Sequence, residues 1–186
     1  MRYGLIGVLV LLLSGCSTAP PPSLESPHQT NVQWANLMTA SHNQARARVG
    51  LSPLMWSNTL ANYAQSWANY LAQTDCQMLH RNEAGNNPAG YGENLFWGSA
   101  NIYTDGSRET ARLSAAEIVK EWVSEHKYYD YSSNNCTAHQ QCGHYTQIIW
   151  GNTQRVGCGM AYCAEGEQLW VCNYDPPGNY LGQRPY

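Results

Sequence analysis

The cysteines constrain this chain more than any other feature. The 186-residue sequence contains seven, an odd number for a protein that forms disulfides. Setting aside Cys16, which closes an N-terminal apolar run, leaves an even set of six: Cys76, Cys136, Cys142, Cys158, Cys163 and Cys172. Because no C-x-x-C pair is present, three disulfides are favoured over free thiols or a thiolate metal site. Six cysteines allow fifteen pairings, and the spacing alone does not choose among them.

The first fifteen residues have the pattern of an export signal. Arg2 supplies the positive charge, and residues 5–13 form a nearly continuous apolar run, shorter than the roughly twenty residues that span a bilayer. The run ends in LSGC (residues 13–16), which is similar to a bacterial lipobox, where the cysteine thiol accepts a diacylglyceryl group. We therefore expect a lipoprotein signal peptide over residues 1–15 and lipidation at Cys16. The alternative is an ordinary signal peptide that happens to contain a cysteine.

Export would place the six remaining cysteines in an oxidising compartment, where disulfides persist. The lipid would hold the protein on a membrane of a bacterial cell envelope, facing the periplasm or the exterior, because acyl chains bind a bilayer stably when two or more are present. Residues 16–31 are rich in Pro and Ser, so after the lipidated cysteine we expect an extended tether. The folded domain is then predicted over residues 32–186.

Within that domain, segments with helical patterns come first along the chain, and most of the segments with strand patterns follow them. Apolar residues at helical spacing predict a first helix over residues 33–49, and Ser57 is a candidate N-cap for a second helix that continues to about residue 71. Ser114 and Glu117 form a capping-box pattern, which predicts a third helix to about residue 126. Apolar and aromatic runs predict four strands, at residues 93–97, 145–150, 156–162 and 169–174. This order favours an α+β fold with helices packed over an antiparallel sheet.

The composition narrows the classes of function. Charged residues make up only 12% of the chain and the formal net charge is −3, so no basic stripe is available and nucleic acid is not an expected partner. The aromatic residues comprise thirteen Tyr and seven Trp but a single Phe. Tyr and Trp combine an apolar ring with a polar tip, which suits half-buried surfaces and grooves, although packing of a small core is the commoner role for any one ring.

Two long segments near the C-terminus resemble the signatures of the CAP superfamily, which comprises cysteine-rich secretory proteins, antigen five and pathogenesis-related plant proteins. Shorter matches precede them in the same order, and the chain ends as the plant members do. The matching segments are HNQAR (42–46), DCQMLH (75–80), YGENL (91–95), WVSE (122–125), GHYTQIIWGNT (143–153), LWVCNYDPPGNY (169–180) and GQRPY (182–186). The resemblance covers the whole presumed domain, residues 33–186.

This resemblance implies a three-layer α-β-α sandwich with a central antiparallel sheet, stapled by disulfides. It also selects one pairing of the six cysteines: Cys76 with Cys163, Cys136 with Cys142, and Cys158 with Cys172. The first pair would join a helix to the sheet, and the third would join neighbouring strands. Each closed loop is expected to stabilise the fold by a few kcal/mol through the lost freedom of the unfolded chain, about 2–4 kcal/mol in typical cases.

The resemblance further implies a central cleft where two histidines and two glutamates converge, and the motifs place these at His80, Glu93, Glu125 and His144. Neutral imidazoles are reasonable ligands for zinc or another divalent cation, and carboxylates complete the shell or orient the rings. His80 and His144 are therefore the expected metal ligands. Glu93 and Glu125 are the candidate catalytic residues, since a carboxylate beside an imidazole also suits acid–base chemistry.

The remaining histidines are given ordinary roles. His42 and Arg46 are expected to brace the first helix, and His126 is expected to point away from its neighbour Glu125, because adjacent helical residues face different directions. His28 and His139 are expected to be solvated loop residues. Tyr145 and Gln147 are expected to be scaffold around the cleft rather than reactive groups.

Two functions remain open. The first is a binding module whose cleft holds a weakly bound divalent cation and whose apolar grooves accept a lipid, sterol or peptide, as the resemblance implies. The alternative is a metal-dependent hydrolase, of endopeptidase type, that uses the same four residues; a purely structural role needs none of them. No HExxH, GxSxG, phosphate-loop or dinucleotide pattern is present, which favours binding. The long polar segments 81–91 and 98–113 are expected to flank the cleft, where they could cover it, reshape it or bind a partner.

Overall fold

The computed structural model describes the backbone of residues 27–186 and the side chains from residue 32 onwards. The predicted signal peptide, the lipidation at Cys16 and most of the predicted tether lie outside these residues. The helices are α1 (Pro27–Arg48), α2 (Asn58–Gln73), α3 (Ala115–Ser124), a short 3₁₀ helix (Glu125–Tyr128) and α4 (Gly143–Ile148). The strands are β1 (Met55–Trp56), β2 (Gly92–Gly98), β3 (Asn101–Ile102), β4 (Arg108–Glu109), β5 (Tyr129–Asp130), β6 (Asn135–Cys136), β7 (Arg155–Tyr162) and β8 (Gln168–Asp175).

Helices α2 and α3 begin where the capping signals in the sequence predicted. Ser57 is the N-cap of α2, and its side chain accepts a hydrogen bond from the Leu60 N–H. Ser114 and Glu117 form a complete capping box at the start of α3. The first helix begins earlier than predicted: residues 27–31 are helical rather than part of an extended tether. Pro27 suits this place because proline is well accommodated in the first turn of a helix.

The central sheet has the strand order β1-β7-β8-β2, and its three long strands are antiparallel. The α+β class and the central sheet are therefore confirmed. Strand β1 was not predicted; it adds a two-residue parallel pairing to the edge of β7. Glu165 and Gly166 form the turn between β7 and β8, as predicted, and Gly166 has a φ of +90° that disfavours other residues there.

Helices cover both faces of the sheet. On one face, residues of α1 and α3 such as Met38 and Ile118 pack against Trp170 and Tyr174 of β8. On the other face, Trp67 and Leu71 of α2 pack against Leu169 and Val171 of β8 and Leu95 of β2. Each layer of helices thus buries one apolar surface of the sheet, which gives the three-layer sandwich.

The prediction of a strand at residues 145–150 was wrong, because residues 143–148 form helix α4. Aromatic and β-branched residues favour strands, but here both ends of a short helix are held by distant side chains. Glu125 accepts the backbone N–H groups of His144 and Tyr145 at the start of α4. Arg46 donates to the carbonyls of Ile148 and Trp150 at its end. Tertiary contacts therefore override the local preference.

The structure contains the three disulfides that the resemblance implies. Cys76–Cys163 joins the segment after α2 to the segment after β7, and Cys158–Cys172 joins directly opposed residues of β7 and β8. Cys136–Cys142 closes the loop that immediately precedes α4. Within residues 27–186, no helix combines the length and apolar character needed to cross a bilayer.

Candidate functional site

His80 lies beside Glu93, the second residue of strand β2. The Nδ1 of His80 is 2.9 Å from Oε1 of Glu93, which also accepts the backbone N–H of Arg81 at 2.9 Å. The Glu93 side chain is only 7% exposed, whereas the His80 side chain is 37% exposed. The hydrogen bond to Glu93 raises the pKa of His80 above its ordinary value, although partial burial acts in the opposite direction.

Asn173, the residue directly opposite Glu93 in strand β8, holds the Glu93 side chain in place. Nδ2 of Asn173 donates to the backbone carbonyl of Gly92 at 3.1 Å and lies 3.4 Å from Oε2 of Glu93. The Glu93 carboxylate therefore has a partner on each oxygen. Its position is fixed by the register of two paired strands rather than by a loop.

His144 and Glu125 form a second pair of the same kind. Nδ1 of His144 lies 2.6 Å from Oε1 of Glu125, while Oε2 accepts the backbone N–H groups of His144 at 3.0 Å and Tyr145 at 3.2 Å. Glu125 follows α3 and His144 is in the first turn of α4, so the carboxylate caps one helix from the end of another. The side chains are 13% and 24% exposed, respectively, and the His144 ring stacks on Trp122.

In both pairs the same ring nitrogen is engaged. A carboxylate accepts but does not donate, so Nδ1 of each imidazole must carry the proton. In the neutral ring this leaves the lone pair on Nε2, and neither Nε2 is among the hydrogen-bonded atoms of the described residues. A carboxylate on one ring nitrogen with the other free is the usual setting of a metal-binding histidine. The donor set thus fits a borderline-soft ion such as Zn²⁺.

The structure brings each histidine to one glutamate, but it does not gather the four residues into one tight cluster. Among the described residues, the only three or more His, Cys, Asp or Glu ligand atoms within 4.8 Å of one another are those of Cys76, Cys163 and Glu167, and two of these form a disulfide. The two pairs are nevertheless linked through β2. Asn94 follows Glu93 in that strand, and its Nδ2 donates to the backbone carbonyl of His144 at 3.1 Å.

The histidines outside the two pairs lie in different surroundings. Nδ1 of His126 hydrogen-bonds to the Val123 carbonyl at 3.0 Å, away from the carboxylate of Glu125. His139 is exposed, as expected, whereas the backbone of His28 belongs to α1 rather than to a loop, and its side chain is not described. His42 and Arg46 are buried and have a larger role than bracing α1, because both reach other elements. Two polar residues four apart on a buried helix face were the signal for this.

The two long polar segments differ in their relation to the histidine–glutamate pairs. Segment 81–91 connects His80 to β2 and is fastened to α2: the Arg81 guanidinium lies 3.8 Å over the ring of Tyr63, whose hydroxyl donates to Asn87. Segment 98–113 leaves the opposite end of β2 from Glu93 and contacts the β7–β8 turn, where Arg108 pairs with Glu165. The expectation that both segments flank the site is therefore wrong for residues 98–113.

Comparison with known proteins agrees with this architecture. The model of the CAP, cysteine-rich secretory protein family matches residues 39–174. Pathogenesis-related protein 1C of Nicotiana tabacum is 45% identical over 146 residues, which cover 78% of this chain and 77% of the relative.

Solved structures share the fold. Venom allergen-like protein 4 of Schistosoma mansoni has a TM-score of 0.58 at 25% identity, covering 83% of this chain and 94% of that protein. NaASP2, solved with Zn²⁺, has a TM-score of 0.59 at 19% identity, covering 83% of this chain and 85% of that protein. At that identity the likeness to NaASP2 shows the fold alone. With three disulfides, a helix-covered sheet and a family match over most of the described residues, this chain belongs to the CAP, cysteine-rich secretory protein family.

Proposed function

We propose that this CAP-domain protein binds a divalent metal ion through Nε2 of His80 and Nε2 of His144. The observation that supports this most directly is the tautomer. Each ring donates a hydrogen bond from its Nδ1–H to a largely buried carboxylate, and its Nε2 stays free. Two protein nitrogens leave the other coordination positions to water or to a ligand. The ion would polarise whatever occupies those positions. Zinc is the first ion to test, because the neighbour NaASP2 was solved with it.

In this proposal Glu93 and Glu125 are positioning residues rather than catalytic ones. Every oxygen of the two carboxylates already has an N–H partner within the protein. A general base must lie within hydrogen-bond reach of the proton that it removes, whereas these carboxylates are directed at the imidazole rings and backbone N–H groups of their own chain. These contacts favour the binding module over the metal-dependent hydrolase, for which a cleavage assay with Glu93→Gln as the inactive variant remains the test.

The metal site can be tested by zinc titration of the purified protein. Wild type should bind one Zn²⁺ per chain and melt at a higher temperature as zinc is added, since an ion that binds only the native state stabilises it. His80→Ala and His144→Ala should each lose most of this response. His126→Ala is the matched control, because His126 is close in sequence to Glu125 but hydrogen-bonds elsewhere. An unchanged zinc response in both test variants would remove the proposed site.

A groove between α1, α2 and β7 supports the proposal of a second, apolar ligand. Its volume is about 850 Å³, and its lining includes Trp34, Trp56, Leu113, Met160, Tyr162 and Trp170 but no charged side chain. The Trp34 ring lies 5.9 Å from the rings of both Trp56 and Trp170. Apolar grooves of this size commonly hold small molecules. The histidine–glutamate pairs do not line it, so the two ligands would bind at separate places.

The nature of that ligand can be tested by native mass spectrometry of the protein purified from the cells that produce it. A fatty acid, sterol or peptide that stays bound should be lost in Trp56→Ala, which opens the groove. Trp97→Ala is the control, because Trp97 is 40% exposed and does not line the groove. Retention of the same ligand by Trp56→Ala would exclude this groove as its site.

The anchoring proposal depends on the sequence pattern at Cys16 alone. We propose that Cys16 carries the lipid that holds the protein on the membrane surface. Wild type should incorporate labelled palmitate and fractionate with membranes, and Cys16→Ser should do neither. Labelling that persists in Cys16→Ser would contradict the proposal.

A further inference from the structure

Helix α1 holds helix α4, the six-residue helix that carries His144. Arg46 is only 1% exposed, and it donates four hydrogen bonds to backbone carbonyls, those of Ser52, Ile148, Trp150 and Thr153. The Ile148 carbonyl belongs to the last residue of α4, and Trp150 follows two residues later. A short helix depends on such partners because its last carbonyls have none inside the helix.

One turn earlier in α1, His42 begins a second connection that reaches the other end of α4. Its Nδ1 lies 2.8 Å from the Met38 carbonyl, and its Nε2 lies 2.9 Å from the hydroxyl of Tyr174. A carbonyl only accepts, so Nδ1 carries the proton; burial lowers the pKa of His42 to about 4, so the ring is neutral and Nε2 accepts. The Tyr174 hydroxyl must therefore donate to His42.

The direction of the remaining bonds follows from that first one. Because its proton is directed to His42, the Tyr174 oxygen accepts from Nδ2 of Asn94 at 3.0 Å. The same Nδ2 donates to the His144 carbonyl at 3.1 Å. His42, Tyr174 and Asn94 are each no more than 1% exposed, so water does not compete for these bonds. This chain of buried bonds ends on the backbone of a proposed metal ligand.

We infer that His42 and Tyr174 are positioning residues for His144 and act on it through Asn94. Glu125 orients the imidazole ring, while the His42–Tyr174–Asn94 chain fixes the peptide plane that carries it. This role rests on the proposed binding of metal at His144. A buried polar chain stabilises a core little compared with apolar packing, but it does specify one geometry.

The decisive comparison is Tyr174→Phe against Tyr63→Phe. Tyr174→Phe removes only the hydroxyl, leaving Nε2 of His42 unpaired and Nδ2 of Asn94 with only its bond to the His144 carbonyl. The zinc Kd, measured by calorimetry, should rise about tenfold, the lower end of the effect of losing a partner that orients a ligand. Tyr63→Phe removes a hydroxyl bonded to Asn87, outside this chain, and should leave the Kd unchanged. Asn94→Asp, which cannot donate to the His144 carbonyl, should weaken zinc binding at least as much.

A second readout separates this role from a merely structural one and from failure of the metal proposal. In the metal-free protein, the carbonyl ¹³C resonance of His144 should shift in Tyr174→Phe and not in Tyr63→Phe. If wild type does not bind zinc, the metal proposal fails, and this resonance still supports or overturns the positioning role. If Tyr174→Phe lowers only the melting temperature, with the zinc Kd and the His144 resonance unchanged, the positioning role is wrong.

Discussion

Replacing Glu125 by Gln should impair metal binding through the tautomer of His144 rather than through a change in shape. Oε2 of Glu125 accepts two backbone N–H groups, so the amide oxygen of Gln must take that place. The amide NH₂ group then occupies the position of Oε1 and faces Nδ1 of His144. Two donors repel each other, so the ring must shift its proton from Nδ1 to Nε2, and the nitrogen proposed to bind the metal loses its free lone pair.

Glu93→Gln makes the same chemical change with a different expected outcome. Oε1 of Glu93 accepts both the His80 Nδ1–H and the Arg81 N–H, so the amide oxygen of Gln can take that position and keep both bonds. The NH₂ group then faces Nδ2 of Asn173, a long contact of 3.4 Å in the wild type. His80 keeps its proton on Nδ1, and Nε2 remains available.

The expected difference between the two variants is large enough to measure. Loss of the group that orients a ligand costs about tenfold to hundredfold in metal affinity, which is about 1.4–2.7 kcal/mol. Glu125→Gln should show the full loss and Glu93→Gln no more than about threefold, less than 1 kcal/mol. Zinc calorimetry gives the affinities, and ¹⁵N spectra of the imidazoles give the tautomers. Equal affinities, or a His144 ring still protonated at Nδ1 in Glu125→Gln, would refute the reasoning.

Three further predictions concern stability and are checked by chemical denaturation. Burial lowers the pKa of His42 from 6.5 to about 4, so the unfolded chain takes up its proton first as the pH falls. The free energy of unfolding should therefore fall by about 3 kcal/mol as the pH is lowered from 6.5 to 4, and His42→Gln should remove this loss of stability. Removing the Cys76–Cys163 disulfide, which joins residues 87 positions apart, should lower the free energy of unfolding by about 4–5 kcal/mol. Opening Cys136–Cys142, a separation of 6, should cost about 2 kcal/mol, and equal costs would contradict the loop-entropy argument. Gly157→Ala would place Cβ 2.2 Å from the Ala61 nitrogen and should cost about 3 kcal/mol or more; a neutral result would mean that α2 can move.

The parts of the fold that follow from neighbouring residues could be predicted from the sequence. Ser57 and the Ser114–Glu117 pair are capping signals, and the helices begin beside them. The strand patterns at residues 156–162 and 169–174 match β7 and β8 closely. Helix α4 has no such local signal, because its partners Glu125 and Arg46 are brought to it by the fold.

The sequence predicted the candidate site only in part. The motifs identified the four residues, and the structure pairs His80 with Glu93 and His144 with Glu125. Which ring nitrogen each carboxylate takes depends on the distance between side chains of separate elements, which no spacing in the sequence records. The reach of His42 to Tyr174 is of the same kind, since the two residues are 132 positions apart.

A crystal structure of the protein grown with zinc tests directly whether two imidazole nitrogens share one ion. Anomalous scattering at the zinc edge should show one ion on Nε2 of both His80 and His144, at about 2.0–2.1 Å from each, with water or a ligand completing the shell. Zinc bound to only one of these histidines, through Nδ1, or at a different place in the chain would contradict the proposal.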